Sequence, residues 1–323
     1  MISGDGSPRE QSKYDKQYKF HTLDVFTDHI FGGNPLAVLT DARGLTTAQM
    51  QRITAEFNLS ETVFILPPDD PGNTRKLRIF TPGRELPFAG HPTIGTAFLL
   101  AAAGMIEVVE GETHIVLEEG VGPVAVTLDV KGGVPISARL TAAQPPELRC
   151  DVPRVADMAE MLTLDVSDIG VAGLSVAAVS CGVPFLLVPL RSCDCVSRAK
   201  LRRGSWERVL ADAWAREVYL FDGSAIERRT AIRARMFAPD LGIGEDPATG
   251  SAAAALAAYL AMRSDSAKAS LDWVVNQGVE MGRPSVLKLS AEISGGEVTA
   301  VCVAGQSVLV SEGTITVPDV VAV

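Results

Sequence analysis

The sequence predicts a protein of mixed α and β structure, made of two homologous halves that face each other. Its 323 residues are enough for two domains at about 150 residues each, with ample material for sizeable cores. An internal repeat gives the second reason. Arg78-Ile-Phe-Thr-Pro82 followed by Glu85-Leu-Pro-Phe-Ala-Gly90-His91 returns as Arg235-Met-Phe-Ala-Pro239 followed by Glu245-Asp-Pro-Ala-Thr-Gly250-Ser251. Weaker matches precede it in the same order: Gly33-Asn-Pro-Leu-Ala-Val38 resembles Gly182-Val-Pro-Phe-Leu-Leu187, and Glu61-Thr-Val-Phe64 resembles Glu217-Val-Tyr219 with one residue deleted. Third, each half has a Pro/Gly loop that runs into a helix of small apolar residues.

Residues 1–18 are polar and charged, lack the apolar stretch of a signal peptide, and are expected to form a disordered leader. Phe20 to Phe26 and Leu36 to Leu39 read as strands, rich in β-branched and apolar residues. Thr46 to Phe57 reads as a helix opened by the pair Thr46-x-x-Gln49 and stopped by Asn58 in a left-handed conformation. Glu61 to Leu66 and Leu77 to Phe80 are strands again. Helices are expected to start near Pro92, which suits a first turn, and near Ala252. Gly122 to Val130, Val286 to Leu289 and Ser307 to Val310 read as antiparallel strands between Gly-rich turns. Gln144-Pro-Pro-Glu147 lies near the crossover, so the halves are expected over 19–135 and 136–304.

Composition excludes several functions. Lys+Arg 29 against Asp+Glu 39 gives a net charge of -10, which repels phosphate backbones, so no nucleic-acid partner is expected. Ser251 to Met262 is too short for a membrane span of about 20 residues, and Gly173, Gly182, Pro184 and Pro189 break the uncharged run Ile169 to Leu190. No membrane association is expected. Cysteines 150, 181, 193, 195 and 302 form neither an even set nor a CxxC pair, which fits free thiols in a reducing, cytoplasmic setting. Histidines 21, 29, 91 and 114 show no metal-ligand spacing, and no metal or cofactor is expected. Gly242-Ile-Gly-Glu-Asp-Pro247 ends in proline where a dinucleotide fingerprint needs glycine. Ser197-Arg-Ala-Lys200 lacks the companion motifs of serine acyltransferring enzymes.

The remaining chemistry gathers at the repeated loops. At Gly90-His91 and Gly250-Ser251, glycines let backbone approach a ligand, and the free N–H groups of a following helix attract an anion. One loop alone would read as a tight turn with Thr249 or Ser251 as helix cap; two such ends facing one cleft suit a carboxylate, because turn chemistry alone does not require two loops of matching design. Glu61 shares a strand face with Val63 and Ile65, where desolvation would raise its pKa and make it a general base or acid, although a strand-end glutamate turned to water has the same spacing. His91 matches Ser251 in the repeat, and Asp246 matches Leu86. Unlike polar groups on a symmetric scaffold are what proton transfer across a cleft needs. An imidazole bonded to backbone and an ordinary Asp-Pro turn are the alternatives.

The segments Gly33-Asn-Pro-Leu-Ala-Val38, Glu56-Phe-Asn-Leu-Ser-Glu-Thr-Val-Phe64, Arg78-Ile-Phe-Thr-Pro82, Glu85-Leu-Pro-Phe-Ala-Gly-His-Pro-Thr93, Gly244-Glu-Asp-Pro-Ala-Thr-Gly-Ser-Ala252 and Gln277-Gly-Val-Glu-Met-Gly-Arg-Pro-Ser285 resemble the PhzF-like family, isomerases of phenazine biosynthesis with the diaminopimelate epimerase fold. The resemblance implies an α+β fold of two pseudo-symmetric epimerase-like domains, each a mostly antiparallel sheet wrapped around a central helix. It implies a last strand, near 305–323, that returns to the first half, and a homodimer. It places the family's catalytic glutamate on Glu61, its histidine on His91, its aspartate on Asp246 and its serine on Ser251. Glu61 would then move a proton on carbon with His91 and Asp246 assisting, while Ser251 and the backbones of Gly90 and Gly250 hold the substrate. The implied substrate is a small carboxylate of the dihydro-3-hydroxyanthranilate type. The alternatives are a racemase, epimerase or tautomerase of another amino or hydroxy acid, and a non-catalytic carboxylate-binding protein. Neither loop carries a cysteine, which excludes a two-thiol racemase.

Overall fold

The computed structural model describes residues 16–142 and 144–318. The first half runs β1 (Lys16–Val25), β2 (Asn34–Leu39), α1 (Thr47–Phe57), β3 (Glu61–Leu66), β4 (Arg75–Phe80), β5 (Glu85–Leu86), α2 (Gly90–Ala102), β6 (Gly111–Glu119), β7 (Gly122–Lys131), β8 (Val134–Thr141) and β9 (Glu147–Arg149). Next come α3 (Val155–Leu162), β10 (Ala177–Ser180), β11 (Pro184–Leu190), α4 (Cys193–Arg198), α5 (Arg203–Val209), β12 (Glu217–Asp222), α6 (Ser224–Arg228), β13 (Ile232–Ala238) and β14 (Ile243–Asp246). The chain then forms α7 (Gly250–Ala261), β15 (Lys268–Gln277), β16 (Ser285–Ser294), β17 (Glu297–Gly305) and β18 (Ser307–Val317). Among the described residues no helix is long and apolar enough to cross a membrane.

Hydrogen-bonded strands follow one another as β18-β1-β2-β3-β4-β6-β7-β8-β17-β16-β15-β13-β12-β11-β10-β9, with β5 on β4 and β14 on β13. The order is symmetric about the β8–β17 pair. Parallel neighbours occur at β2–β3 and β4–β6, and again at β11–β12 and β13–β15; every other pair is antiparallel. The architecture is α+β. Each half sends its last strand to the other: β9 pairs with β10, and β18 pairs with β1.

Three expectations need correction. The expected leader over 1–18 is too long, because β18 is long enough to hydrogen-bond all of β1, so that Lys16 already pairs with Val317; residues 1–15 lie outside the described residues. The expected boundary at 135/136 falls inside β8, which bonds to β7 on one edge and β17 on the other. The deletion inferred at Glu217 is absent. Leu36 pairs with Glu61 as Phe185 pairs with Glu217, and Phe64 opposes Arg78 as Leu220 opposes Arg235. Backbone register, which sets which residues correspond, places Phe64 against Leu220 and Val63 against Tyr219.

Helices α2 and α7 are apolar on nearly every face and buried almost throughout, as a helix enclosed by sheet must be. Strand alternation turns Val63 and Ile65 to the core shared with Ile94, Ala97 and Leu100 of α2. Phe64 and Phe80 turn to a second core under α1. That helix begins at Thr46 with a complete capping box to Gln49 and ends at Asn58, which has φ 50°. Helices α3, α4 and α5 cover the outer face of the second half.

Both repeated Arg–Glu pairs are bidentate forks that clamp the loop ahead of a central helix. Arg78 donates to Glu85 at 2.7 and 2.6 Å, and Arg235 to Glu245 at 2.7 and 2.8 Å. Their surroundings differ. The side chains of Arg78 and Glu85 are 24% and 39% exposed, those of Arg235 and Glu245 only 9% and 18%. Arg235 also donates to the carbonyls of Val196, Ser197 and Ala199. Removing one partner of a buried pair strands a charge, so Glu245→Gln is expected to cost about 3–5 kcal/mol in urea unfolding. Glu85→Gln is expected to cost about 1 kcal/mol or less. Equal losses would contradict this burial argument.

Candidate active site

Strand β3 starts at Glu61, α2 places His91 at its second residue, β14 ends at Asp246, and α7 starts with Gly250 and Ser251. All of them, with Gly90, line one cavity of about 280 Å³ between the ends of the two central helices. Every residue singled out in the sequence is therefore brought together. Apolar walls come from Leu86, Pro87, Phe88, Phe185 and Met236.

The helix ends touch through backbone. A Cβ on Gly90 would stand 3.3 Å from the Gly250 Cα, so any side chain there would push the two helix ends apart by a few tenths of an ångström. Ala89 and Thr249 occupy the cap positions, and neither caps its helix through a side chain. Thr249 was a candidate cap; its hydroxyl instead donates to Asp246 Oδ2 at 2.5 Å. Ser251, the other candidate cap, is the second helical residue and lies inside the first turn. The first N–H groups of both helices are thus left without side-chain caps, which suits an anion.

Asn34, the first residue of β2, ties the polar residues together. Its Nδ2 donates to Asp246 Oδ1 and to the Ala248 carbonyl, each at 2.9 Å, and lies 3.2 Å from His91 Nδ1. An amide nitrogen accepts nothing, so His91 Nδ1 is the bare nitrogen and its proton sits on Nε2. That Nε2 is 3.3 Å from Glu61 Oε2. Neither atom has a hydrogen-bond partner among the described residues, although both are buried. Gln277 completes the frame: its Nε2 donates to the Asp246 carbonyl and to Thr249, and its Oε1 accepts from Tyr219 and the Thr249 N–H.

Burial drives the electrostatics. Glu61 is pushed well above the usual carboxylate range by desolvation and then by the charge of Asp246. Desolvation raises Asp246 to about 6, while hydrogen bonds from Thr249 and Asn34 favour its ionised form. Desolvation lowers His91 to about 3, so the imidazole is neutral. Two facing carboxyls of unequal environment, beside a neutral imidazole, can hold and pass a single proton near neutral pH.

Asn34 was not singled out from the sequence, yet the criterion that found His91 and Asp246 applies to it. Its counterpart by strand register is Val183, an unlike residue on a repeated scaffold. Arg283 was also missed; it donates to Asp24 and to the Gly32 and Gly33 carbonyls, so the 277–285 segment braces the turn ahead of Asn34. Among the described residues, no group of three or more His, Cys, Asp or Glu is placed to hold a metal ion.

The sequence profile described as phenazine biosynthesis-like protein, PhzC-PhzF, matches residues 23–313. An uncharacterized isomerase of Mesorhizobium japonicum is 38% identical over 295 residues, which are 90% of this chain and 96% of that protein. The trans-2,3-dihydro-3-hydroxyanthranilate isomerase of Pseudomonas fluorescens is 36% identical over 299 residues, 92% of this chain and 99% of that protein. The crystal structure of a Bacillus anthracis PhzF-family protein shares the fold with a TM-score of 0.82 at 24% identity, covering 93% of this chain and 99% of that one.

The histidine state is open to direct measurement. Long-range 1H–15N spectra are expected to show His91 as the neutral Nε2–H tautomer from pH 8 down to pH 5, with no titration near the ordinary value of about 6.5. A midpoint near 6.5 would contradict the buried network.

Proposed function

Because the chain belongs to the PhzC-PhzF family of phenazine biosynthesis-like proteins and is an isomerase of that family, we propose that it shifts a proton along the carbon skeleton of a small cyclic carboxylate of the trans-2,3-dihydro-3-hydroxyanthranilate type. The observation that carries this reading is the pair of buried, unpartnered atoms Glu61 Oε2 and His91 Nε2, facing an otherwise largely apolar cavity. Native proteins leave few buried polar atoms unpaired without a use for them.

The substrate carboxylate lies at the paired helix ends, against the N–H groups near Gly90 and Gly250 and the Ser251 hydroxyl. The ring fills the apolar walls, with its acidic C–H turned to Glu61. The Glu61 carboxylate takes that proton, the electron pair left on carbon moves into a new C=C bond, and the existing C=C bond breaks toward its far carbon. That carbon then receives the proton from the Glu61 carboxyl. Substrate and product have the same atoms and oxidation state, and the side chains named here supply every proton the step needs. His91 Nε2–H donates to charge that develops on the substrate, and Asp246 keeps Glu61 basic. A carboxylate whose pKa is raised is a stronger base than an exposed one, which is the form this step requires.

Proton NMR of trans-2,3-dihydro-3-hydroxyanthranilate in D2O with the enzyme is expected to show isomerisation with solvent deuterium entering the ring. Glu61→Gln is expected to lose about 10²–10⁴-fold in rate. The sign of the pH dependence follows from the raised pKa: activity falls as pH drops through a value above the ordinary carboxylate range, since Glu61 is then protonated. Asp246→Asn removes the like charge and moves that fall to lower pH. A wild type that leaves this substrate unchanged would refute the substrate assignment; a fully active Glu61→Gln would refute the base.

A further inference from the structure

One buried carboxyl takes no part in the step above. Glu119, the last residue of β6, is 8% exposed and stands behind the loop that carries Gly90 and His91. Its Oε1 lies 2.6 Å from the Thr93 hydroxyl on α2, and its carboxyl accepts the Ala89 N–H. Its Oε2 is buried and has no hydrogen-bond partner among the described residues.

Strand register identifies its counterpart. Arg75 and Lys76 pair with Leu117 and Glu118 as Ile232 and Arg233 pair with Val275 and Asn276, and the arginines Arg78 and Arg235 fix the correspondence. One step on, Glu119 corresponds to Gln277. The contacts agree with this. Gln277 Oε1 accepts the N–H of Thr249, the residue ahead of α7, as Glu119 accepts that of Ala89, the residue ahead of α2. Gln277 has a hydrogen on its second terminal atom, which it gives to the Asp246 carbonyl at 2.9 Å. An ionised Glu119 has none to give. The carbonyl that corresponds to that of Asp246 belongs to Leu86, one of the residues lining the cavity.

We propose that Glu119 is a positioning residue that acts as a neutral carboxylic acid, doing for the loop ahead of α2 what the Gln277 amide does for the loop ahead of α7. The proton on its Oε2 stands where Gln277 carries its amide hydrogens. Neutrality matters because the Ala89 amide that Glu119 receives adjoins the N–H groups at the α2 end, where the substrate carboxylate lies; this consequence rests on the reading given under Proposed function. An ionised Glu119 would put a negative charge behind the anion site and weaken substrate binding. Burial, partly offset by the Thr93 and Ala89 hydrogen bonds, raises its pKa to about 8. Charged groups around it are otherwise engaged. Lys76 pairs with Asp69 and Arg78 with Glu85, while Glu118 accepts from the Asp69 and Asp70 N–H groups and from Asn73. On α2 the only titratable side chain is His91, which faces Glu61.

The test compares wild type, Glu119→Gln and Glu119→Ala between pH 5 and 9. The folded wild type holds a proton that its unfolded chain releases above the ordinary carboxylate value, so wild type loses stability relative to Glu119→Gln as pH rises toward 8. The gain in Tm of Glu119→Gln over wild type is therefore expected to grow from pH 5 to pH 8 and then level off. A Tm difference that stays flat with pH would overturn the neutral acid. The KM of wild type is expected to rise on the order of tenfold between pH 7 and 9 with little change in kcat, and that of Glu119→Gln to stay level. Glu119→Ala is expected to bind weakly at every pH, with Glu119→Gln restoring affinity. Equal KM profiles in wild type and Glu119→Gln would overturn the positioning role. The Tm comparison needs no substrate, so it decides the protonation state even if the substrate assignment fails.

Discussion

Two helix N-termini meet backbone to backbone at Gly90 and Gly250, and the site depends on this contact more than on any other. A Cβ on Gly90 would lie 3.3 Å from the Gly250 Cα, tighter than ordinary packing, and one on Gly250 would already be in van der Waals contact with the Phe26 ring and the Gly90 Cα at 3.4 and 3.5 Å, so the two backbones meet with no room to spare. The contact also places two positive dipole ends side by side, which is unfavourable until negative charge arrives. Ionised Asp246 supplies part of that charge, and in the proposed reaction a substrate carboxylate supplies the rest. A protein with a net charge of -10 can therefore attract an anion to this one place, because the field of two uncapped helix ends acts at short range and the overall charge is screened over about a Debye length.

The scaffold is duplicated but the chemistry is not. Glu61 and Glu217 correspond by register, yet their neighbours differ at each point: His91 against Ser251, Asp246 against Leu86, Asn34 against Val183. Burial raises Glu217 to about 7, with Asp240 adding to the rise and Arg216 and Arg84 opposing it. It has the desolvation of a base without the imidazole, since Ser251 stands where His91 would be. Duplication accounts for the shared frame of forks, glycine contacts and strand-end side chains, and the unlike residues on that frame mark the end of the cleft to which the proposed reaction is assigned.

Much of this was legible in the sequence where a local rule decides the outcome. The Thr46–Gln49 pair and Asn58 bound α1 correctly, since capping is a matter of neighbours in the chain. Strand β3 runs from Glu61 to Leu66 as its composition suggests. The repeat located both helix ends, although each helix starts two residues before the expected point, because the glycine and the residue after it already adopt helical backbone. What escaped was set by distant contacts. The Thr249 hydroxyl has a choice between capping α7 and bonding Asp246, and only the folded position of Asp246 settles it. Gln277 and Glu119 look like ordinary strand ends until register shows that each receives the amide ahead of a central helix. Helices α3, α4 and α5 are only 6–8 residues long, too short to show a clear period.

The bare atoms at Glu61 and His91 each cost about 1–3 kcal/mol of unmade hydrogen bonding, and in the proposed mechanism neutrality of the imidazole is what preserves the base. A protonated His91 at 3.3 Å would form an ion pair with Glu61, stabilise its carboxylate and lower its basicity. Two features prevent that. Desolvation disfavours the imidazolium, and the nitrogen of the Asn34 amide, which cannot accept, faces Nδ1, so a proton on Nδ1 would find no acceptor there. Asn34 is held in turn by Asp246 and the Ala248 carbonyl, both from the second half of the chain. The tautomer of a histidine in one half is thus dictated by acceptors in the other, which makes the packing of the two halves part of the proposed acid–base chemistry as well as of the cavity.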